Sequence, residues 1–230
     1  MLSLSNKLGL TTIRSWNPYK ETDLEAWYRQ GDWTNDGGGK ATRWNDSSTN
    51  GHTMTADEEQ EPSIIESDTQ LEFNPESAAD HHMSSSSQIT LADEFIVGMV
   101  IKPLAASASC ILGDNTTSNH FIRLQSESQI KTKFGGGTLK TFDLDGSNSM
   151  TDGKCVITIA RNSSDLITVY FNGTAQADTE TVSQSALIDT IGVNATDVND
   201  YQGSVYEIIM FNGYSAELVK NVNTYLNTIR

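Results

Sequence analysis

Between Arg43 and Lys102 the chain has no lysine or arginine. Asp46, Asp57, Glu58, Glu59, Glu61, Glu66, Asp68, Glu72, Glu76, Asp80, Asp93 and Glu94 all fall in that interval. With a formal net charge of −15 over 230 residues, the surface repels phosphate backbones and anionic lipid, so nucleic-acid binding is excluded as an expected function. Cysteine is scarce: Cys110 and Cys155 form no C-x-x-C pair, which excludes a zinc ribbon, and both are expected as buried thiols. No stretch approaches the roughly 18 apolar residues of a membrane-spanning helix. The start, Met1-Leu-Ser-Leu-Ser-Asn-Lys7, has no basic region followed by an apolar run, so no signal peptide and cytoplasmic synthesis are expected. No period of about 20 to 50 residues marks a repeat array.

Apolar residues make up only 37% of the chain, and Ser, Thr and Asn occur in short runs such as Ser84 to Ser87. These three residues disfavour helix interiors and suit polar turns between short strands. Phe95 to Ile101 is an apolar run closed by Pro103, the signature of a strand buried on both faces. His120 to Gln125 follows as a further strand. Lys154 to Ala160 and Leu166 to Phe171 are β-branched and aromatic runs, and the polar connection Arg161 to Asp165 between them predicts an antiparallel pair. Asn172-Gly173 supplies a tight turn, and Gly203 to Phe211 is a last long strand. One helix is expected: after an N-cap at Ser215, Leu218, Val219, Val222, Tyr225, Leu226 and Ile229 recur at helical spacing, with Glu217 in the first turn.

The first half is less regular and holds all the tryptophans: Trp16, Trp27, Trp33 and Trp44. Asp36-Gly-Gly-Gly39 and Asn50-Gly51 mark turns, and Asp57 to Pro62 reads as an exposed acidic loop. Residues 1–23 have little periodicity and are read as an N-terminal docking arm, followed by one domain over 24–230. Trp16, Pro18 and Tyr19 are the candidate docking residues of that arm.

Several segments together resemble the concanavalin A-like, laminin G-like superfamily. Leu24-Glu-Ala-Trp-Tyr28 resembles its opening strand, and Trp44-Asn-Asp-Ser-Ser-Thr-Asn-Gly-His52 is similar to the W-N-D-x-S-G-N-G-H turn of its bacterial and phage members, with Thr49 in place of a glycine. Leu71 to Asn74, Leu166 to Gly173 and Gly203 to Leu226 resemble later family segments, in the family's order. The resemblance implies an all-β fold, a two-sheet antiparallel jelly-roll sandwich with one short C-terminal helix. It does not fix function, because this fold carries lectins, glycosidases, adhesion modules and virion parts.

The chain also resembles accessory virion proteins of tailed phages, notably those of marine cyanobacteria. The leading expectation is therefore a non-enzymatic structural protein of a tailed-phage virion, on capsid or tail, docked by its arm onto other virion proteins. The alternative is a carbohydrate-binding adhesin module that recognises host surface glycans.

Glucanases of the superfamily carry E-x-D-x-E or E-x-D-x-x-E on a mid-chain strand, since retaining hydrolysis needs two flanking carboxylates. Here the shorter form occurs as Glu21-Thr-Asp-Leu-Glu25, ahead of the opening strand, and the expectation is no enzyme. The Asp36 to Gly39 and Gly135 to Gly137 runs lack the Lys-Ser/Thr of a phosphate loop and are read as turns. His81 and His82, as neighbours on an extended chain, would point apart, and exposed loop histidines are expected there. A Ca2+ ion is the one cofactor considered, with Asp114 and Asn115 as its candidate ligands after a strand end. Trp16, Trp33 and Tyr19 are candidate stacking residues for sugar or partner, while Trp27 and Trp44 are expected in the core.

Overall fold

The computed structural model describes residues 16–65, 69–74, 80–105, 107–195 and 200–230. Residues 1–15, most of the expected docking arm, lie outside the described residues, as do Glu66, Asp68 and Glu76 of the acidic interval. Among the described residues the chain is all-β. It runs β1 (Leu24–Asn35), β2 (Ala41–Asp46), β3 (Met54–Thr55), β4 (Ser63–Ile65), β5 (Gln70–Phe73), β6 (Met83–Leu91), β7 (Phe95–Pro103) and β8 (Ser109–Gly113). It continues with β9 (Phe121–Ser126), β10 (Gln129–Lys133), β11 (Lys140–Asp143), β12 (Cys155–Arg161), β13 (Leu166–Phe171), β14 (Thr174–Thr181), β15 (Ala186–Ile191), β16 (Gly203–Phe211) and the helix α1 (Ala216–Asn227).

Hydrogen bonding follows the path β11-β10-β9-β8-β15-β6-β3-β2-β1-β16-β7-β12-β13-β14, with β5 also on β16 and β4 on β5. All of these strand pairs are antiparallel. The path folds back on itself into a nearly closed sandwich. Side chains tie its two ends together: Lys140 Nζ sits 2.7 Å from Glu180 Oε2, and Gln176 Oε1 accepts from Asp145 N at 2.8 Å. This is the two-layer antiparallel jelly roll expected from the sequence, with the expected C-terminal helix. Such closure protects sheet edges that would otherwise pair with other chains.

The central strand β7 explains the layering. Its Phe95, Val97, Met99 and Ile101 enter the main core between the layers, with Trp44, Ile122, Ile130 and Phe142 from elsewhere in the chain. Its Ile96 and Val100 face the other way and meet Leu218, Val219, Val222 and Leu226 of α1. The apolar run is thus buried on both faces, once by the opposite layer and once by the helix. Ser215 caps the helix, its side chain accepting from Leu218 N at 3.0 Å. The β12–β13 hairpin pairs as expected, and Asn172 and Gly173 turn the chain with φ of 52° and 86°.

Three local expectations need correction. Arg161 was placed in a polar connection, yet it ends β12 and is fully buried. Carbonyls of Asp93, Val182 and Gln184 accept from its Nε and Nη1, and the guanidinium lies 4.8 Å over the Phe95 ring, so carbonyl dipoles and an aromatic face replace part of the hydration it loses. The acidic loop is exposed from Asp57 to Glu59, but Glu61 and Pro62 turn inward, with Glu61 3.9 Å from Lys40. His81 and His82 are half-buried rather than exposed, because each ring closes a local contact: Asn74 N donates to His81 Nδ1 at 3.2 Å, and His82 Nδ1 lies 3.2 Å from Asp80 Oδ1.

Both cysteines are free and buried, as expected. Burial pushes the Cys155 thiol up to about 12 and holds Cys110 well above the ordinary thiol range, which keeps both thiols unreactive.

A polar cleft beside an exposed tyrosine

Residues 16–28 build one wall of the candidate site. Asn17 caps the short 3-10 turn Pro18–Lys20, its side chain accepting from Tyr19 N at 3.1 Å. Pro18 is buried, and Trp16 packs on the helix layer with ring centroids 5.8 Å from Tyr225 and 6.1 Å from Phe211. The Trp16 indole donates to Glu21 Oε1 at 2.6 Å. Two of the three candidate docking residues are therefore packed on the domain itself. Tyr19 differs: its ring is 53% exposed, held edge-on to Trp27 at 5.0 Å, and Trp27 in turn carries the Arg29 guanidinium at 4.9 Å. One edge of the tyrosine is fixed and the rest of the ring meets solvent.

After the 3-10 turn Glu21 is extended, Thr22 and Asp23 make a turn, and Leu24 opens β1, so Glu21, Asp23 and Glu25 lie close together along the chain. β1 pairs with β16 through Leu24 and Phe211, then shifts register before Ala26 and Met210, which makes Glu25 the residue of a β-bulge. Bulges re-aim side chains. Here Glu25 turns its Oε1 to within 3.1 Å of His52 Nε2.

The opposite wall is the Trp44 to His52 turn. Asp46 organises it: Oδ1 accepts from Trp27 N at 2.9 Å and Ser48 N at 2.8 Å, and Oδ2 from Ser48 Oγ at 2.7 Å and His52 N at 2.9 Å. Asn50 then donates its Nδ2 to the carbonyls of Leu24 and Glu25, at 3.1 and 2.9 Å, clasping the turn onto β1. Tyr28 closes the far side by donating its hydroxyl to the His52 carbonyl at 2.5 Å. Trp44 and Trp27 are core residues, as expected.

Between the walls lies a polar cleft of about 300 Å³, bordered by Tyr19, Glu21, Asp23, Glu25, Thr49, Asn50 and Asn212. Asn212 follows β16 and reaches the cleft because its backbone N–H donates to the Asp23 carbonyl at 2.8 Å. Its side-chain Oδ1 accepts from Ala92 N, which leaves the amide group without a hydrogen bond among the described residues. Each carboxylate here has one oxygen engaged: Glu21 by Trp16, Asp23 by the Thr22 hydroxyl at 3.2 Å, and Glu25 by His52. The second oxygen of each has no hydrogen bond among the described residues. The cleft thus presents an aromatic face, amide groups, a hydroxyl and carboxylate oxygens side by side.

The E-x-D-x-E motif was set aside for lying ahead of the opening strand, yet the fold brings all its carboxylates to this cleft. Thr49, Asn50 and Asn212 were not anticipated there. The turn residues carried a signal, in the Asn50-Gly51 dipeptide, but Asn212 carried none, since only the β1–β16 pairing brings it near.

The proposed calcium ligands lie elsewhere. Asp114 is buried, and its Oδ1 takes Thr116 N at 2.7 Å, Thr116 Oγ1 at 2.6 Å and Thr117 N at 3.3 Å. Its Oδ2 accepts from Gln88 Nε2 at 3.2 Å. Asn115 is exposed and donates its backbone N–H to Asp189 Oδ1 at 2.7 Å; burial holds the Asp189 carboxyl above its ordinary range. Both Asp114 oxygens are thus engaged within the protein, and among the described residues no group of three His, Cys, Asp or Glu side chains that could hold a metal is present. Asn115 borders another polar cleft of about 410 Å³ with Asp57 and His82, which has no tryptophan, tyrosine or phenylalanine in its lining. Trp33 is half-buried against the core, 6.0 Å from Trp44, so among the candidate stacking residues only Tyr19 presents an exposed ring.

No family model matches the chain, and no curated protein does. Solved structures do. The binding domain of Paraclostridial Mosquitocidal Protein 1 superposes with a TM-score of 0.60 at 11% identity, covering 92% of this chain and 54% of that one. The binding domain of botulinum neurotoxin serotype D/C gives 0.60 at 13% identity, over 93% of this chain and 53% of that one. That of serotype C1 gives 0.58 at 14%, over 93% and 53%. The chain spans about half the length of these structures. At such identities the likeness is one of fold alone, an antiparallel β-sandwich.

Proposed function

We propose that the domain is a saccharide-binding module that uses the Tyr19 cleft and performs no catalysis. The observation that carries this reading is the half-exposed Tyr19, held by Trp27 and set beside carboxylates that each keep one oxygen, and an Asn212 amide group, without a hydrogen bond among the described residues. A sugar ring has an apolar C–H face and a rim of hydroxyls, and that pairing of an aromatic platform with hydrogen-bonding groups suits both. The same fold serves as a binding domain in the toxins named above. Binding rather than hydrolysis is favoured because each cleft carboxylate already holds a structural partner.

The test is an oligosaccharide panel on the full chain, followed by titration of the positives. Tyr19→Ala is expected to weaken binding at least about tenfold while leaving the melting temperature unchanged, since the ring is at the surface. Binding that ignores this substitution, or no binding to any saccharide, overturns the reading. Reducing-sugar release that disappears on neutralising Glu21, Asp23 and Glu25 would show an enzyme instead. Repeating the panel with calcium and with a chelator reads the contribution of the Asp114–Asn115 loop.

The expected placement in a capsid or tail, docked to other virion proteins, has a test of its own. Labelling of phage particles with antibody to the chain addresses that expectation directly.

A further inference from the structure

Building on the saccharide reading of the Tyr19 cleft, we infer that its ligand is an amine-bearing sugar and that acidic sugars are rejected. The cleft is bordered by Glu21, Asp23 and Glu25 and by no lysine, arginine or histidine. The His52 ring is hydrogen-bonded to Glu25 Oε1 at 3.1 Å and does not border the cleft, nor does Lys20, and the Arg29 guanidinium lies over Trp27. Each carboxylate keeps an oxygen with no hydrogen bond among the described residues, and these are the acceptors a ligand meets. Hydroxyls satisfy such oxygens as neutral donors. An ammonium group does so with charge assistance, which makes the stronger hydrogen bond. A sugar carboxylate, sulfate or phosphate would place like charges at close range, and the net charge of −15 adds a long-range repulsion.

The position of Tyr19 adds geometry to the charge. Its exposed ring stands at the cleft's border with the carboxylates and Asn212, so a sugar stacked on it presents its rim substituents to them. An amine on the rim is then read by the cleft, and an N-acetyl group at the same position both loses the charge and adds bulk.

Short ligands test this without the multivalency of a polymer. Isothermal titration of the full chain compares a β-linked glucosamine disaccharide, its N-acetylated counterpart, lactose and sialyllactose, at low and at high salt. The glucosamine disaccharide should bind about fivefold tighter than its N-acetylated form at low salt, with the difference shrinking at high salt, and sialyllactose should bind more weakly than lactose. Glu21→Gln with Asp23→Asn should remove the amine preference but retain binding of the neutral sugar. Glu58→Gln with Glu59→Gln, on the exposed acidic loop, should leave the preference intact. A preference that survives in the cleft variant, or equal binding of amine, N-acetyl and acidic forms, overturns the amine inference while leaving the saccharide reading in place. Absence of binding by all of these and by the wider panel removes both.

Discussion

Gly98 of β7 lies directly beneath Leu226 of α1: a β-carbon at position 98 would stand 2.7 Å from Leu226 Cδ1 and 2.8 Å from Val222 Cγ1. The helix can approach the sheet this closely only over a residue without a side chain. Gly98→Ala should push α1 outward and cost about 1–3 kcal/mol, as overpacking of a filled core does. Urea denaturation reads this as a lower midpoint at unchanged slope. An unchanged midpoint would mean that the helix shifts without loss.

Asp46 holds the Trp44 to His52 turn through Trp27 N, Ser48 and His52 N, so Asp46→Ala strips several donors of their acceptor at once. A loss of about 2–3 kcal/mol is expected, with a smaller loss for Asp46→Asn, which keeps one acceptor oxygen. Because the turn also carries Thr49 and Asn50, both variants should weaken ligand binding at the Tyr19 cleft more than Asn115→Ala does. Equal stability of the three variants, by thermal melts, would deny Asp46 its organising role.

Two buried titratable groups should pull the pH dependence of stability in opposite directions. Glu207 accepts from the Trp27 indole at 2.7 Å and from the Tyr225 hydroxyl, and burial raises its carboxyl above the ordinary 4.5 despite those bonds. Its native state therefore holds a proton more tightly than the unfolded chain, and the stability this contributes is present below about 4.5 and lost as pH rises through the raised value. His120 is the reverse. Burial lowers it below 6.5, and its Nδ1 accepts backbone N–H groups of Gly135 and Leu187, each at 3.2 Å, which protonation would break. Its contribution is present above 6.5 and lost as pH falls through the lowered value; His81, also lowered by burial, acts in the same sense. Relative to Glu207→Gln the native chain should lose stability as pH rises from 4.5 through the raised value. Relative to His120→Gln it should gain stability from pH 5 to 7.5. Flat differences in denaturation midpoint across those ranges would contradict the respective assignments.

The strands from Phe95 onward and the C-terminal helix could be read from the chain because periodicity, β-branching and a capping serine are local properties. Strand limits then differ by a residue, as for His120 to Gln125 against Phe121–Ser126. The Trp44 to His52 turn was legible through its resemblance to the W-N-D-x-S-G-N-G-H turn and in its Asn50-Gly51 dipeptide, and its bonds are local, from Asp46 to Ser48 and His52. What local pattern could not reveal was which polar residues lie inside. Arg161 follows a strand and precedes Asn-Ser-Ser-Asp, and only the carbonyls of distant Val182 and Gln184 make a buried site for it. The pairing of β1 with β16 joins residues as far apart as Trp27 and Glu207. That one long-range ladder draws Asn212 to Asp23, and so to the cleft beside Tyr19. The sequence by itself determined the strand-rich character, the turns and the helix stripe through short-range preferences, and implied the sandwich through its family resemblance. The tertiary structure alone decided where a cleft forms and what borders it, because contacts across the sheet depend on register, and no local preference carries register between strands so far apart.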